Sequence, residues 1–454
     1  MLKPLNAITP IDGRYRSTTH PLSTVFSEYG LISARVKIEL LWLISLSENN
    51  DIKEIKKFNN TSKKHIDNII INFDDADAEA IKLIEKTTNH DVKAVEYFVK
   101  DKLKTLVELD EAREFVHFAC TSEDINNLSH ALMLSEGRKI LLKYMDDIIE
   151  QFVDFAKEWA GQPMLSRTHG QSATPTTVGK EFANFAKRLT QQRDQFESIK
   201  IFGKINGAVG NFNAHDVAYP DVDWLQHAKN FVESLGLNWN KYTTQIEPHD
   251  YISEIFHSLV RFNNILIDFN RDIWTYISLG YFKQKKIKGE VGSSTMPHKI
   301  NPIDFENSEG NLGVGNAVMN HMADKLPISR LQRDLTDSTV LRNMGVGFSY
   351  SLISYNSTLK GLSKLQINKE SIDNDIDQAW EILAEPLQTI MRRYGIENPY
   401  EKLKDLTQGR SINANNLHEF IKGLDLSDDV KNDLLKMKPR DYLGYAEKLA
   451  KEIK

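Results

Sequence analysis

The longest regular apolar pattern in this chain lies between His249 and Phe282. Its apolar residues recur three and four positions apart, which is the spacing of one helix face. They are Ile252, Ile255, Phe256, Leu259, Leu266, Phe269, Ile273 and Ile277. The pattern predicts a helix of more than about thirty residues, about 45 Å or more in length. Several helices of this length favour a helical bundle that packs against sister chains.

Three further segments, residues 129–160, 176–201 and 304–324, show the same spacing with little Pro or Gly. The first hundred residues combine an irregular start with helical segments at 29–45, 63–72 and after His90. Beyond residue 365, charge rises and the periodic segments shorten. The sequence therefore predicts an all-α fold of three domains. They are an N-terminal helical domain (1–111), a central long-helix bundle (112–364) and a small C-terminal helical domain (365–454).

The composition excludes several classes of protein. The 454 residues are 41% hydrophobic and 26% charged, which is an ordinary balance for a soluble protein. The net charge of −6 argues against a nucleic-acid coat, since phosphate binding needs a basic face. The apolar runs are too short for a membrane span, and no secretory segment is expected at Met1. A single cysteine, Cys120, rules out an intrachain disulfide and fits the cytoplasm.

The segment Gly292–Pro302, with the sequence GSSTMPHKINP, cannot form a helix interior. Pro297 and Pro302 lack N–H groups and push the residues before them toward extended conformations. We therefore expect a loop that follows a basic helix end at residues 283–288. Two interpretations fit its composition: an anion-binding lid whose serine handles a proton, or a flexible connector.

Two other segments combine turn or helix-start signals with reactive groups. His169, in SRTHGQ (166–171), is expected in a turn, where it acts as a general acid or base or is simply a surface residue. Thr121 and Ser122 are followed by Glu and Asp, which is an ordinary helix start in capping-box form. The alternative is that their hydroxyls and the first N–H groups of the helix hold a carboxylate or phosphate.

Three arginines lie among hydroxyl residues at Arg330, Arg333 and Arg342. They form either a fork around an anion or a salt-bridge network with Asp334 and Asp337. The patterns of zinc hydrolases, serine hydrolases and dinucleotide-binding proteins do not occur in the sequence. The motifs therefore support neither a zinc or serine hydrolase nor a dinucleotide cofactor.

At this point a family resemblance becomes clear. Gly292–Pro302 resembles the signature loop of the fumarase/aspartase superfamily. Fumarases and aspartases usually carry Gly before the lysine and argininosuccinate lyases carry Gln, whereas His298 resembles the branch that acts on succinylated purine nucleotides. Further motifs of that branch's long bacterial form are dispersed along the chain in order. They are DGRY (12–15), TNHDVK (88–93), TSED (121–124), RTHG (167–170), TQIEPH (244–249) and RDLTDS (333–338).

The resemblance implies a homotetramer whose central helices form a twenty-helix bundle, with active sites shared between subunits. It implies two purine-pathway eliminations, from adenylosuccinate to AMP and fumarate and from SAICAR to AICAR and fumarate. No cofactor, metal, nucleic acid or membrane is implied. The alternatives are another fumarate-releasing lyase, such as argininosuccinate lyase, or a non-catalytic helical scaffold.

The resemblance also implies roles for individual residues. Ser293 is the base and His169 the acid, with Lys299 helping the closed loop to activate Ser293. His90 either binds the phosphate or assists His169. The implied phosphate ligands are Arg14, Tyr15, Arg333, Ser338 and Arg342. The implied carboxylate ligands are Thr121, Ser122, Ser294, Lys299 and Asn301.

Two further residues, Gln245 and Asn307, are expected to orient the substrate. Neighbours of these positions complete the substrate-binding set. They are Asn89, Asp91, Ile300, Thr339, Val340 and Leu341.

Overall fold

The computed structural model describes residues 3–287, 289, 295–296, 299–407 and 412–454. Helices dominate these ranges, as predicted. The helices are α1 (Arg16–Phe26), α2 (Glu28–Glu48), α3 (Asn60–Ile71), α4 (Asp75–Thr88), α5 (Asp91–Leu103), α6 (Val107–Ala112), α7 (Ser122–Glu158), α8 (Val178–Ser198), α9 (Asn213–Ala218), α10 (Trp224–Ser234), α11 (Asp250–Ser278), α12 (Ile303–Lys325), α13 (Thr336–Leu341), α14 (Met344–Lys364), α15 (Lys369–Gln378), α16 (Ala384–Arg393), α17 (Pro399–Thr407), α18 (Ala414–Gly423), α19 (Asp428–Lys436) and α20 (Ala446–Lys451).

Six short strands form three two-stranded pairs. The strands are β1 (Pro163–Thr168), β2 (Gln171–Thr177), β3 (Phe202–Gly203), β4 (Asn238–Trp239), β5 (Phe282–Gln284) and β6 (Leu365–Ile367). The β1–β2 and β5–β6 pairs are antiparallel, and β3 runs parallel to β4. In the described ranges, no helix is both long and apolar enough to cross a membrane.

The chain divides into two compact units. The first unit comprises Met1–Tyr144, Gln192–Asn264 and Gly310–Asn356, and the second comprises Met145–Gln191, Ile265–Glu309 and Ser357–Lys454. The three-domain division at residues 111 and 364 stays a prediction.

Each unit has its own apolar core. In the first unit, the fully buried Trp42 packs edge-on against Phe231, with the ring centroids 5.0 Å apart. In the second unit, Phe152 packs against Phe269 at 4.4 Å, and Phe155 stacks on Trp159 at 4.3 Å. Aromatic contacts of this kind contribute beyond the area that they bury.

The predicted stripe of α11 is confirmed as a buried face, with only Ile277 half-buried. Its predicted length was wrong, because the helix has 29 residues and ends at Ser278. Gly280 adopts a left-handed backbone (φ +76°), and the N–H of Tyr281 bonds to the carbonyl of Tyr276. This C-terminal cap stops the helix, after which the chain enters β5. The predicted basic helix end at 283–288 was therefore wrong, because the helix ends at Ser278 and Phe282–Gln284 form a strand.

The β1–β2 hairpin and helix α14 are among the elements that were not predicted from the sequence. The β1–β2 hairpin surrounds the predicted turn at His169, and its strands lack a clean apolar alternation. Helix α14 begins at Met344, and several of the side chains that it buries are serines rather than apolar residues. Ser351, for example, is fully buried and donates to the carbonyl of Gly347 at 3.0 Å, so its hydroxyl is satisfied inside the helix.

Candidate active site

The start of α7 carries Thr121 and Ser122, and a buried carboxylate fixes it in place. Asp124 lies at the third helical position and accepts from the backbone N–H of Thr121 at 2.8 Å, as the capping-box form predicts. Its Oδ1 also lies 2.9 Å from the Nζ of Lys204, and both side chains are fully buried. The backbone N–H groups of Asn206 and Gly207 complete its partners, at 2.9 and 3.1 Å. Thr121 and Ser122 are half-buried, so both side chains are partly accessible at the fixed start of α7.

Arg333 forms the centre of a second group in the first unit. Its guanidinium lies 2.9 Å from Oε2 of Glu123 and 3.8 Å from Oδ1 of Asp337. It also donates to Oε1 of Gln245 at 3.2 Å. Burial raises the pKa of Glu123 to about 7 despite the nearby arginine. The structure thus brings together two predicted binding residues, Arg333 and Gln245, and ties them to the start of α7 through Glu123.

These buried acids also bear on metal binding. Glu123, Asp337 and His249 place one potential ligand atom each within 4.8 Å of the others. Arg333 already supplies a positive charge beside both carboxylates. The arrangement is therefore an ion-pair network that holds the Arg333 guanidinium in place, and arginine is suited to such pairing with carboxylates.

A third group is organised around Asp91, at the start of α5. Its Oδ2 accepts from the buried Arg35 at 2.8 Å and from Arg342 at 3.2 Å. Arg342 also donates to Glu28 at 2.7 Å. The combined pull of Arg35 and Arg342 holds the pKa of Asp91 below its usual value, although burial opposes them. Asp91 therefore stays charged and fixes two arginines, of which Arg342 is the exposed one.

His90 forms the N-cap of α5, as its place before the periodic segment predicted. Its Nδ1 accepts from the backbone N–H of Lys93 at 3.2 Å. Its side chain is 51% exposed, so the Nε2 side of the ring is open to a ligand. Asn89 before it is left-handed (φ 49°) and ends α4, which turns the chain sharply into α5.

The remaining predicted site residues of the first unit are mostly exposed or half-buried. Arg14 is exposed and lies over the ring of the half-buried Tyr15, 5.9 Å from its centroid. Ser338, Thr339, Val340 and Leu341 lie on α13, and of these four only Leu341 is buried. A cavity of about 260 Å³ adjoins this region. Its walls include Asp12, Phe26, Arg342, Val346 and Ser349.

The predicted acid, His169, belongs to the second unit. It occupies the tip of the β1–β2 hairpin, where Thr168 pairs with Gln171. Both tip residues are left-handed, with φ of 52° at His169 and 75° at Gly170. The His169 side chain is exposed, which confirms the predicted turn and leaves the imidazole accessible to a substrate.

The second unit also carries the predicted loop residues. Ser293, Ser294 and His298 lie outside the described residues. Lys299 and Ile300 are exposed, Asn301 is half-buried, and Asn307 is half-buried in the second turn of α12.

Sequence reasoning missed several residues that position these groups. Arg35 and Lys204 carry buried charges, and Glu123 was read only as part of a helix start. One signal was available for Arg35, since a lone arginine on the apolar face of α2 requires a buried partner. For Lys204 the sequence shows only a lysine before a glycine-rich turn.

Comparisons with known proteins agree with this description. The family described as Lyase matches residues 13–318, and the family described as Adenylosuccinate lyase C-terminal matches residues 329–443. The chain is 57% identical to Adenylosuccinate lyase of Escherichia coli (strain K12), over 100% of both chains. It is 56% identical to Adenylosuccinate lyase of Haemophilus influenzae (strain ATCC 51907 / DSM 11121 / KW20 / Rd), over 100% of this chain and 99% of the relative.

Solved structures share the fold at low sequence identity. A fumarate lyase from Mesorhizobium sp. BNC1 superposes with a TM-score of 0.75 at 16% identity, covering 95% of this chain and 96% of that chain. A 3-carboxy-cis,cis-muconate lactonizing enzyme from Pseudomonas putida gives a TM-score of 0.72 at 18% identity, covering 94% of both chains. The fold and the full-length relatives together place the chain in the adenylosuccinate lyase family of the fumarase/aspartase superfamily.

Proposed function

We propose that this chain is a carbon–nitrogen lyase that cleaves adenylosuccinate to AMP and fumarate, and SAICAR to AICAR and fumarate, in purine biosynthesis. The observation that carries the proposal is 57% identity over the whole chain to an adenylosuccinate lyase. The match of residues 329–443 to the adenylosuccinate lyase C-terminal family favours it over argininosuccinate lyase.

The reaction requires a base, an acid and fixed positive charge. Ser293 removes the proton from the carbon beside a carboxylate of the succinyl group, and the resulting carbanion is stabilised as a doubly charged carboxylate. The C–N bond then breaks, its electron pair moves to nitrogen, and His169 donates a proton there. Lys299, Asn301, Thr121 and Ser122 act as donors to the carboxylates in this proposal.

The phosphate site is proposed at the arginines of the first unit. Arg14, Arg333 and Arg342 supply guanidinium groups, which match phosphate geometry. Arg333 pairs with the buried Glu123 and Arg342 pairs with the half-buried Asp91, so both arginine side chains are ordered before the substrate arrives. That ordering lowers the entropy cost of binding. Tyr15, Ser338 and His90 contribute further donors, and Gln245 and Asn307 orient the substrate.

The chain belongs to a family of oligomeric enzymes, and we propose a cytoplasmic homotetramer with sites shared between subunits. Exposed apolar side chains on two long helices support this assembly. Trp274 on α11 is 47% exposed and Val314 on α12 is 48% exposed. Sister subunits packed along these helices would bury such groups.

One assay tests the reaction. Purified protein is given adenylosuccinate and, separately, argininosuccinate, and fumarate is followed in the ultraviolet. Release of AMP and fumarate from adenylosuccinate alone is expected. Absence of both products would overturn the proposal. Release of fumarate from argininosuccinate but not from adenylosuccinate would instead identify the protein as an argininosuccinate lyase.

Shared sites have a separate test. Inactive His169→Ala and Ser293→Ala proteins are mixed under conditions that allow subunit exchange. Recovered activity is expected, because some sites then combine an intact His169 with an intact Ser293. A mixture that stays inactive after proven exchange refutes shared sites and leaves the reaction itself untouched.

A further inference from the structure

The hairpin that carries His169 is tied to the C-terminal segment of the chain, residues 365–454. Leu165 of β1 is 2% exposed and belongs to an apolar cluster whose other members all come from this segment. Gln162, just before β1, donates to Oδ1 of Asp373 at 3.0 Å. The hydroxyl of Thr174 on β2 donates to Glu385. Both strands of the hairpin therefore depend on the C-terminal segment for their position.

A charged cluster lies closest to the hairpin tip. Arg167 on β1 pairs with Oδ2 of Asp375 on α15 at 2.7 Å. It also donates to the hydroxyl of Tyr281 at 3.1 Å, and that hydroxyl donates to Asp375. Burial and the Asp375 carboxylate raise the pKa of Tyr281, so the phenol stays a hydrogen-bond donor. Each of the three side chains thus contacts the other two.

The tip of the β1–β2 hairpin is weakly supported by its own residues. His169 is exposed and left-handed, a conformation that costs free energy for a residue other than glycine. In the described ranges, a Cβ added at Gly170 would meet no atom within 4 Å. The position of the imidazole is therefore set by the strands below it, two residues away at Arg167.

We propose that the C-terminal segment is the support that positions the acid of this enzyme, and that Asp375 is its main positioning residue. The inference rests on the proposed role of His169. Small displacements of a catalytic group reduce turnover steeply, whereas the proposed phosphate-binding arginines of the first unit are unchanged, so substrate should bind as before. Loss of Asp375 should therefore lower kcat and leave KM unchanged.

The test uses Asp375→Asn in the full-length enzyme, which keeps the volume and removes the charge that Arg167 needs. We expect kcat to fall by about tenfold and KM to change by less than about twofold. Asp377→Asn is the matched control, because Asp377 lies on the same helix and pairs with Arg440 at 2.6 Å. Its kcat should stay within about twofold of the parent.

A cycle with His169→Ala separates positioning from general damage to the fold. If Asp375 acts through His169, adding Asp375→Asn to His169→Ala should cause no further loss of kcat. Losses that multiply, or a normal kcat in Asp375→Asn alone, would overturn the inference. A normal kcat in His169→Ala would instead overturn the proposed acid, so the two failures are distinguishable.

If Asp375→Asn does not fold, Tyr281→Phe provides the second variant. It removes one hydroxyl from the cluster and keeps the ring over which Arg167 lies, with 5.7 Å between guanidinium carbon and ring centroid. A kcat loss of about threefold or more is expected, because the hydroxyl accepts one hydrogen bond from Arg167 and donates another to Asp375. The same cycle with His169→Ala applies, and an unchanged kcat contradicts the inference.

Discussion

Replacing Asp124 with Asn tests the buried support beneath the predicted carboxylate-binding hydroxyls. Asp124 and Lys204 are both fully buried, 2.9 Å apart. Three backbone N–H groups also point at the carboxylate, from Thr121, Asn206 and Gly207. Asn at this position turns one acceptor oxygen into a donor and leaves the Lys204 ammonium without a countercharge.

The magnitude follows from these contacts. Removing one partner of a buried ion pair costs about 3–5 kcal/mol, because the other charge remains buried. The lysine keeps one weak partner, the carbonyl of Gly207 at 3.3 Å, so we expect the lower half of that range. Turnover should also suffer, because the N–H of Thr121 loses its acceptor and the start of α7 loosens.

The assay is urea denaturation, monitored by tryptophan fluorescence. All variants are measured at the same protein concentration, because subunit association shifts the apparent stability. The matched control is the double variant Asp124→Asn with Lys204→Met, which removes both charges. It should regain about 1–3 kcal/mol relative to Asp124→Asn alone. A single-variant loss below about 1 kcal/mol, or a double variant that loses the sum of both singles, would refute the reasoning.

Two further predictions concern the first unit. Arg333→Met should raise KM for adenylosuccinate by about 10–100-fold, since a charged hydrogen bond contributes about 1.5–3 kcal/mol. The control is Arg330→Met, because the exposed guanidinium of Arg330 pairs with Asp334. Equal KM values in the two variants would contradict the assignment of Arg333 to the phosphate site. Burial lowers the pKa of His130 from 6.5 to about 3. Below pH 6.5 the unfolded chain therefore binds a proton at His130 that the folded chain does not bind. The contribution of His130 to stability is lost as pH falls. Between pH 7 and pH 5 this contribution should fall by about 2 kcal/mol relative to His130→Gln, as measured by denaturation at each pH, and parallel curves for the two proteins would exclude it.

Local sequence patterns were sufficient for much of the fold. The apolar stripe of α11 predicted a buried helix face, and His90 was placed correctly before α5. His169 next to Gly170 predicted a turn, which the hairpin tip confirms. Each of these features depends on residues within a few positions of one another, where backbone geometry and spacing decide the outcome.

The end of α11 shows where local patterns stop being sufficient. Apolar residues continue to Phe282, yet the helix stops at Ser278. Beyond it, Leu279 is exposed, whereas Tyr281 and Phe282 are buried. Phe282 lies in β5, which pairs with β6 some eighty positions later, as in Phe282 with Ile367. An apolar residue can be buried in a helix or in a strand, so the spacing of apolar residues alone could not locate the end of the helix.

The charged supports of the site were decided by tertiary structure alone. Asp91 meets Arg35 across 56 positions and Arg342 across 251 positions, and Arg167 meets Asp375 across 208. Sequence motifs identified which residues bear chemistry, because those motifs resemble a known family. They could not identify the partners, because a buried charge is stabilised by whichever opposite charge the packing of distant helices brings within reach.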